Sequence, residues 1–365
     1  MVKYTNLVFF LGTKAQFIKT LPVLNNLNDE KIPINIIDTG QHRLTTSRQM
    51  KELKFDFNYE SLSQNDKDIS SVGSMITWFF KILTKILFNS SNYEKSVCIL
   101  HGDTASTLLG LIWAKKNNSL TLHIESGWRS KSIFKPFPER LIHAIIEKYS
   151  DVLVPDGEVQ LKNIKKYKDS KKIIYIEKNT IIDSIIENSK NYDNKINNNL
   201  VITIHRTENI FNQQKIGKLC DLIDLFNEKK IFDEIIWYCH SPTFKILKKN
   251  GFLKRLEISG VELKKLITHS EFLHVISSSK CVLTDGGGVV QESAFLNVPV
   301  IIWRKEIETY HEYKDNDNLI VSDYDHEMIF KFLKGVRSEE RIPPQILRSP
   351  SSVISKEIAK MINPE

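Results

Sequence analysis

The chain has 365 residues, 41% hydrophobic and 26% charged, and its 51 Lys and Arg against 44 Asp and Glu give a formal net charge of +7. This is the composition of a soluble globular protein long enough for two domains with separate cores. Scattered lysines without stacking motifs argue against a nucleic-acid groove, and the widely spaced Cys98, Cys220, Cys239 and Cys281 read as core residues of a reducing compartment, not as a disulfide frame or a metal site.

The first six residues lead into the apolar run 7–11 with no signal-peptide pattern, so a cytoplasmic location is expected. Further strands are expected at 34–37, 97–100, 120–124, 152–154 and 173–176, with helical patterns at 16–28, 106–116 and 139–149. The segment 75–88 is apolar but interrupted by Lys81 and Lys85. It is too short and too charged to span a bilayer, so it reads as a buried or amphipathic helix and no integral membrane segment is expected. A polar, asparagine-rich stretch at 188–199 then breaks the pattern. Strands resume at 200–204, 235–239, 263–267, 281–283 and 300–303, and 353–361 reads as a terminal helix able to pack back across the boundary.

Strand–helix alternation of this kind predicts an α/β protein with parallel sheets covered by helices on both faces. The expected organisation is two Rossmann-like doubly wound domains facing across a cleft. The N-terminal one takes in 1–187, a linker 188–199, the C-terminal one 200–345, and a C-terminal helix 346–365.

In such sheets ligands bind beyond the carboxyl ends of the strands, so the polar residues there are the candidates. The first strand is followed by Gly12-Thr-Lys14-Ala-Gln16-Phe-Ile-Lys19, and the second by Asp38-Thr-Gly-Gln41-His42. Then come His101-Gly-Asp103-Thr104, Glu125-Ser-Gly-Trp-Arg129 and Pro136-Phe-Pro-Glu139; in the second half His205-Arg206-Thr-Glu208 and His240 follow strands. Each has a bland alternative: Asp103 and Thr104 as helix caps, Glu125 and Arg129 as a surface ion pair, His42 and His240 as loop residues, Glu139 as a favourable first-turn charge. Directed at one cleft, Asp103, Glu125, Glu139 and a histidine would form an acid/base site.

The most informative stretch is Thr284-Asp285-Gly286-Gly287-Gly288, where an apolar run opens onto small residues before a helical pattern carrying Glu292. Unpaired N–H groups at a helix mouth meet anions, and glycine lets a phosphate approach the backbone. Glu292 is placed to reach a sugar hydroxyl of the same ligand. The alternative is a tight strand-to-helix turn that binds nothing.

Taken in order, these segments resemble the UDP-N-acetylglucosamine 2-epimerase family, from Gly12 to about Arg304. They include Thr39-Gly-Gln-His42, Gly102-Asp-Thr104, His123-Ile-Glu-Ser-Gly-Trp-Arg129, Asn179-Thr-Ile-Ile-Asp183 and Ile204-His-Arg-Thr-Glu-Asn-Ile210. The resemblance implies the two-domain GT-B architecture and a UDP-sugar substrate, with no cofactor or metal and a homodimeric assembly. It implies catalytic roles for Asp103, Glu125, Glu139 and His205. Lys14, Lys19, Phe272, Gly286, Gly287, Gly288, Glu292 and Arg304 would bind the nucleotide-sugar: the glycines its diphosphate, Glu292 the ribose and Phe272 the uracil. Gln41, His42, Arg206 and His240 would belong to a regulatory site. The implied reaction eliminates UDP across C1–C2 to a 2-acetamidoglucal and adds it back with the proton delivered to the opposite face.

Several positions depart from the family pattern: Lys14 for arginine, Gln16 for glutamate, Gly286 for serine, Trp128 for leucine, Lys178 for glycine, and Glu308-Thr-Tyr-His311 for Glu-Arg-Pro-Glu. The main expectation is a UDP-sugar 2-epimerase supplying a surface polysaccharide. Its rivals are a hydrolysing epimerase, a GT-B glycosyltransferase and a non-catalytic nucleotide-sugar sensor. The Thr39–His42 segment leans toward the non-hydrolysing branch.

Overall fold

The computed structural model describes residues 4–42, 53, 55–63, 68–69, 72–129, 139–189, 195–307, 316–336, 341 and 348–362. The chain divides into two compact units, one comprising Met1–Ser184 with Ile346–Glu365 and the other Ile185–Gln345.

In chain order the first unit contains β1 (Asn6–Leu11), α1 (Lys14–Asp29), β2 (Ile34–Asp38), β3 (Asn58–Ser61), α2 (Val72–Phe88), β4 (Ser96–His101), α3 (Ala105–Lys116), β5 (Leu120–Ser126), α4 (Glu139–Tyr149), β6 (Val152–Pro155), α5 (Glu158–Asn163) and β7 (Lys172–Ile173). The helix α6 (Ile181–Ser189) carries the chain into the second unit. There follow β8 (Asn197–Thr203), α7 (Thr207–Ile210), α8 (Gln213–Glu228), β9 (Glu234–Cys239), α9 (Ser241–Lys249), α10 (Phe252–Ile258), β10 (Val261–Lys265), α11 (His269–Ser277), β11 (Ser279–Thr284), α12 (Gly287–Phe295), β12 (Val300–Ile302), β13 (Leu319–Val321) and α13 (His326–Gly335). The last helix, α14 (Pro350–Ile362), belongs to the first unit.

The first sheet has the order β3-β2-β1-β4-β5-β6-β7 and the second β10-β9-β8-β11-β12-β13, with every pairing parallel. Both orders reverse once: between β1 and β4 in the first unit, and between β8 and β11 in the second. At such a reversal the connecting helices leave to opposite faces of the sheet, opening a crevice at the strands' carboxyl ends.

Side-chain alternation explains why the central strands read as unbroken apolar runs. On β1, Leu7, Phe9 and Leu11 join a core with Phe17 and Leu24 of α1 and with Ile354 and Ile358 of α14. Val8 and Phe10 join the opposite core with Trp78 and Ile82 of α2 and Leu109 and Trp113 of α3. Both faces of the strand are therefore buried, as a doubly covered parallel sheet requires. The terminal helix is tied down by Asn26 Nδ2 donating to Ser351 Oγ (2.9 Å) and by Ser351 N donating to Asp183 Oδ2 (2.7 Å).

Some expected boundaries shift. The strands β3 and β13 lie at sheet edges and are short; Asn-Tyr-Glu-Ser in β3 carries no apolar signal. Strand β7 is at Lys172–Ile173 instead of 173–176, and β10 begins two residues before the expected 263. Strand β8 starts at Asn197, inside the asparagine-rich stretch, because backbone pairing with β9 and β11 extends beyond the apolar residues. Among the described residues no helix is long and apolar enough to cross a membrane.

Candidate active site

In the first unit the polar residues gather beside the β1/β4 reversal. Thr13 caps α1, and Gln16 at the third helical position completes the capping box by accepting from the backbone N–H of Gly12 and Thr13 (3.1 Å each). Its Nε2 donates to His101 O (2.8 Å), Thr104 Oγ1 (3.0 Å) and Thr107 Oγ1 (2.9 Å), which pins the loop after β4 to α1. A glutamate at this position would have no N–H to donate, so the departure at Gln16 has a structural role. One turn further on, the same helix presents Lys19.

Lys19 Nζ is hydrogen-bonded and ion-paired to Glu125 Oε1. Glu125 sits at a bulge where the β5–β6 register shifts, with φ 64°. Such a left-handed backbone is costly for a residue with a side chain, and residues held in it cluster at functional sites. The bulge turns the carboxylate to meet several partners. His101 Nδ1 lies 3.5 Å from Oε2, while Asn179 Nδ2 donates to Oε1. Burial pushes the Glu125 carboxyl upward, but Lys19 and His101 outweigh it and hold it well below the usual carboxylate range. Burial favours a neutral Lys19, and Glu125 reverses this and keeps the ammonium charged. Burial also pushes His101 down to about 4, so the ring facing Glu125 is neutral at pH 7.

A second carboxyl group completes the cluster. Asp156, just beyond β6, accepts from Asn179 Nδ2 (2.8 Å) and from Trp128 Nε1 (2.7 Å). Burial first, and then the nearby Glu125 charge, raise its pKa to about 8. Sequence reading missed Asp156, because it stands in Pro155-Asp156-Gly157 and looks like an ordinary turn. Asp103 lies in the loop after β4, within electrostatic reach of Lys19, Glu125 and His143, and burial raises its pKa.

Behind the bulge, Glu147 receives Gly127 N–H (2.6 Å) and Arg129 Nη1 (2.8 Å), and its Oε1 lies 2.9 Å from His143 Nδ1. Arg129 therefore pairs with Glu147, which excludes the alternative of an ion pair with Glu125. His143 Nε2 lies 3.0 Å from the Glu125 carbonyl oxygen, so this network buttresses the strained bulge. Glu139 opens α4, and its side chain, like the preceding Pro136–Pro138 segment, lies outside the described residues.

The remaining candidates of this unit lie near the start of α1. Lys14 Nζ pairs with Asp68 (2.7 Å), and its backbone N–H donates to His42 Nδ1 (3.3 Å). Gln41 is buried, and its Oε1 accepts from Ser106 Oγ (2.6 Å).

In the second unit the β8/β11 reversal is organised around Asp285, 1% exposed. Its carboxylate accepts from the backbone N–H of His205 (3.0 Å) and Arg206 (3.0 Å) and from Asn209 Nδ2 (2.8 Å), and His205 Nδ1 is 3.2 Å away. It thus satisfies the otherwise orphan donors before α7. Gly286 precedes α12 with no side-chain cap. A Cβ there would stand 2.7 Å from His205 Cε1, whereas one at Gly287 or Gly288 would meet nothing within 4 Å. The missing serine hydroxyl at Gly286 therefore goes with a close approach of the His205 ring. That ring lies tilted against His240, with centroids 5.2 Å apart.

Glu292 on α12 is buried, with Oε1 2.9 Å from His269 Nε2, a partner that sequence reading did not single out. Phe272 meets Tyr238 edge to face (5.6 Å), and Arg304 Nε donates to Glu208 Oε1 (3.2 Å). Among the described residues no group of three or more His, Cys, Asp or Glu could hold a metal ion.

Comparison with known proteins bears on this arrangement. The chain is 26% identical over 344 residues to UDP-N-acetylglucosamine 2-epimerase of Methanocaldococcus jannaschii, covering 88% of this chain and 90% of the relative. It is 28% identical over 330 residues to that of Methanococcus maripaludis, covering 85% and 86%. Its fold is shared with the solved M. jannaschii UDP-GlcNAc 2-epimerase in complex with UDP-GlcNAc and UDP, with TM-score 0.80, 23% identity, and coverage of 97% and 99%. The Neisseria meningitidis UDP-GlcNAc 2-epimerase bound to UDP-GlcNAc superposes with TM-score 0.76, 21% identity, and coverage of 98% and 99%. The family model of UDP-N-acetylglucosamine 2-epimerase matches residues 25–351, and the chain belongs to that family.

Proposed function

We propose that the protein interconverts UDP-N-acetylglucosamine, or a modified relative, and its manno epimer without releasing free sugar. The observation that carries this reading is the group at the β1/β4 reversal: two partly buried carboxyl groups, Asp103 and Glu125, beside a charged Lys19. The C2 proton of an N-acetylhexosamine is not acidic enough for simple removal and return. Elimination makes it removable: a base takes the C2 proton, the C1–O bond to UDP breaks, and the electrons left at C2 form the C1–C2 double bond of a 2-acetamidoglucal. Re-addition of UDP at C1 with a proton delivered to the other face of C2 gives the epimer.

This chemistry calls for an acid and a base held in different states at one pH, which environment alone can arrange for two carboxyl groups. Glu125 is held ionised and Asp103 is shifted toward its protonated form by burial. Asp103, Glu125 and Glu139 would divide the proton transfers. The departing UDP needs donors for its diphosphate. The N-terminus of α12, with no side-chain cap, would offer the diphosphate the backbone N–H groups of Gly287 and Gly288 and a favourable dipole. Gly286 would leave room beside them while its own N–H is held by Thr284 Oγ1 (3.0 Å), and Lys19 and Arg304 would add cationic charge. His205 would act beside the leaving group, Glu292 and Phe272 would hold the nucleoside, and Lys14 would contribute to the sugar-nucleotide site. Gln41, His42, Arg206 and His240 would serve regulation. The product would feed a surface polysaccharide, and the working form would be a cytoplasmic homodimer.

A second reading, a glycosyltransferase acting on a lipid-linked acceptor, draws on the exposed Ile76, Phe80, Leu87 and Phe88 of α2. NMR of UDP-N-acetylglucosamine incubated with the protein in deuterated buffer separates these readings. Deuterium at C2 together with the manno epimer of the intact UDP-sugar is the expected result. Free sugar plus UDP would indicate the hydrolysing branch, and intact undeuterated substrate would overturn both epimerase readings for this donor.

A further inference from the structure

We infer that Asp156 and Glu125, bridged by the Asn179 side-chain amide, form a largely buried dicarboxyl pair that carries a single negative charge opposite Lys19, and that Asp156 is thereby a positioning residue for proton transfer at Glu125. The catalytic part of this inference rests on the epimerase reading above. The pairing itself rests on the hydrogen-bond geometry and on the balance of charge around it.

The geometry is specific. One NH2 group, Asn179 Nδ2, donates to Glu125 Oε1 and to Asp156 Oδ2. The other carboxyl oxygen of Asp156 takes the Trp128 indole N–H. The amide is oriented from its far side as well, since Asn179 Oδ1 accepts from Ile181 N–H (3.1 Å) at the start of α6. Asn179 thus cannot turn away from one carboxyl group without losing the other. Lys19 is anchored in turn, because Thr180 Oγ1 donates to the Lys19 carbonyl oxygen. Two fully ionised carboxylates this close, both removed from water, would repel strongly and leave the cluster with excess charge against one ammonium group.

The charged and titratable groups facing the pair from the surrounding elements are Lys19 of α1, His101 of β4, Asp103 of the following loop, and His143 of α4 with its partner Glu147. Of these, His101 is neutral at pH 7 and His143 is engaged by Glu147. Lys19 is therefore the cation that balances the pair. A proton retained on Asp156 leaves Glu125 ionised and Lys19 matched one to one. When Asp156 gives its proton to solvent, the added negative charge raises the proton affinity of Glu125 and tightens the hold on Lys19. The Asp156 carboxyl thus sets both the charge of Glu125 and the orientation of the amide that holds it. Trp128 and Asp156 also belong together: a leucine at 128 would leave this carboxyl group without its indole donor.

The test has two arms. In the first, thermal stability is followed from pH 5 to 9 in the wild type, Asp156→Asn, Glu125→Gln and the double variant. A carboxyl group whose folded pKa is raised to about 8 binds a proton in the folded state that the unfolded chain has released, so its stabilising contribution is complete below about pH 4 and is lost as pH rises to about 8. The wild type is expected to lose stability across this range more steeply than Asp156→Asn. Glu125→Gln is expected to diminish that difference, because the charge that raises the Asp156 pKa is gone. Equal slopes in the wild type and Asp156→Asn, or an Asp156 effect unchanged by Glu125→Gln, would overturn the pairing.

In the second arm, the C2 exchange rate is measured against pH. Asp156→Asn is expected to lose the alkaline inflection and to lower kcat about tenfold with KM within about threefold, while Trp128→Phe moves the inflection to higher pH by removing a donor to the ionised form. An unaltered inflection in Asp156→Asn would overturn the positioning role. If the wild type shows no exchange at all, the epimerase reading and the positioning role both fall, and the first arm still decides the pairing.

Discussion

At the β1/β4 reversal of the first unit, the polar groups are side chains already committed to one another: Lys19 to Glu125, Asn179 to two carboxyl groups, Arg129 to Glu147. At the β8/β11 reversal of the second, the sequence supplies mostly backbone, with the buried carboxylate of Asp285 holding two N–H groups and an amide while the helix start at Gly287 and Gly288 has no side-chain cap. The two sheets wind alike, so topology does not make this difference. Proton transfer needs groups whose pKa values are set by burial and neighbours, whereas a diphosphate needs donors that do not titrate and that a side chain would obstruct. The contrast teaches that the same crevice is specialised by what fills it.

Removing the titrating groups alone has the largest expected effect. Asp103→Asn and Glu125→Gln are each expected to lower C2 exchange by about a thousandfold, the middle of the range a positioned acid or base contributes, with UDP affinity changed less than about threefold. Exchange kinetics and calorimetric UDP titration check both halves. Loss of UDP binding in step with activity would mean that the first unit's cluster is a binding element after all.

The carboxylate of the second unit should behave oppositely. Asp285→Ala leaves the part-buried N–H groups of His205 and Arg206 and the buried Asn209 side-chain amide without this acceptor, which is expected to destabilise the protein by about 2 kcal/mol in urea unfolding. Asp285→Asn keeps an acceptor oxygen and should cost less. An Asp285→Ala variant of unchanged stability would show that the carboxylate acts on a ligand and not on the α7 start.

How much of this contrast is legible in the sequence follows from where each group's partners lie. Asp103 and Glu125 stand directly after apolar runs, so the rule that parallel sheets bind at their strand ends finds them from local pattern alone. The glycines before α12 declare themselves in the same way. Asp156 does not, because its character comes from Trp128 and Asn179, which lie 28 and 23 residues away in the chain. Its own surroundings, Pro155 and Gly157, give only a turn signal. The positive φ at Glu125 is equally invisible, since it arises from a bulge that β6 and the Arg129–Glu147 network impose. Strands with two buried faces, such as β1 and β11, are legible in their apolar runs, while the edge strand β3, Asn-Tyr-Glu-Ser, depends on its pairing with β2, and the apolar β13 is only three residues long.

The network behind the bulge gives a pH test of the first unit that does not involve catalysis. Burial pushes the Glu147 carboxyl up, but hydrogen bonds from His143 and Arg129 outweigh it and bring it down to about 2. A depressed folded pKa means stability that is present above the unfolded value near 4 and lost as pH falls toward 2. Glu147→Gln should therefore be less stable than the wild type at pH 6 by about 2 kcal/mol, with the difference closing between about pH 4 and 2. Thermal melts across that range check it, and a gap that persists at low pH would point to shape and not charge.

The smallest expected effects lie at the start of α12. Gly286 and Gly287 are neighbours with ordinary helix-start backbones, so alanine strains neither, and any difference between the two variants must come from what the new methyl group meets. At 286 it would stand 2.7 Å from Cε1 of the His205 ring, closer than van der Waals contact allows, so the ring must move aside. At 287 it meets no protein atom within 4 Å, and alanine in a helix is favoured over glycine by about 0.5–1 kcal/mol. Gly287→Ala should then raise stability slightly while weakening UDP binding by about tenfold, because the methyl group occupies the approach of a phosphate to the helix mouth. Gly286→Ala should leave UDP affinity within about threefold and lower kcat, because only His205 is disturbed. Stability and binding thus move in opposite directions at 287, which a general loss of folding could not produce. If Gly287→Ala gains stability with UDP affinity unchanged, the uncapped start of α12 is a turn and not a diphosphate seat, and the division of labour between the two units must be redrawn.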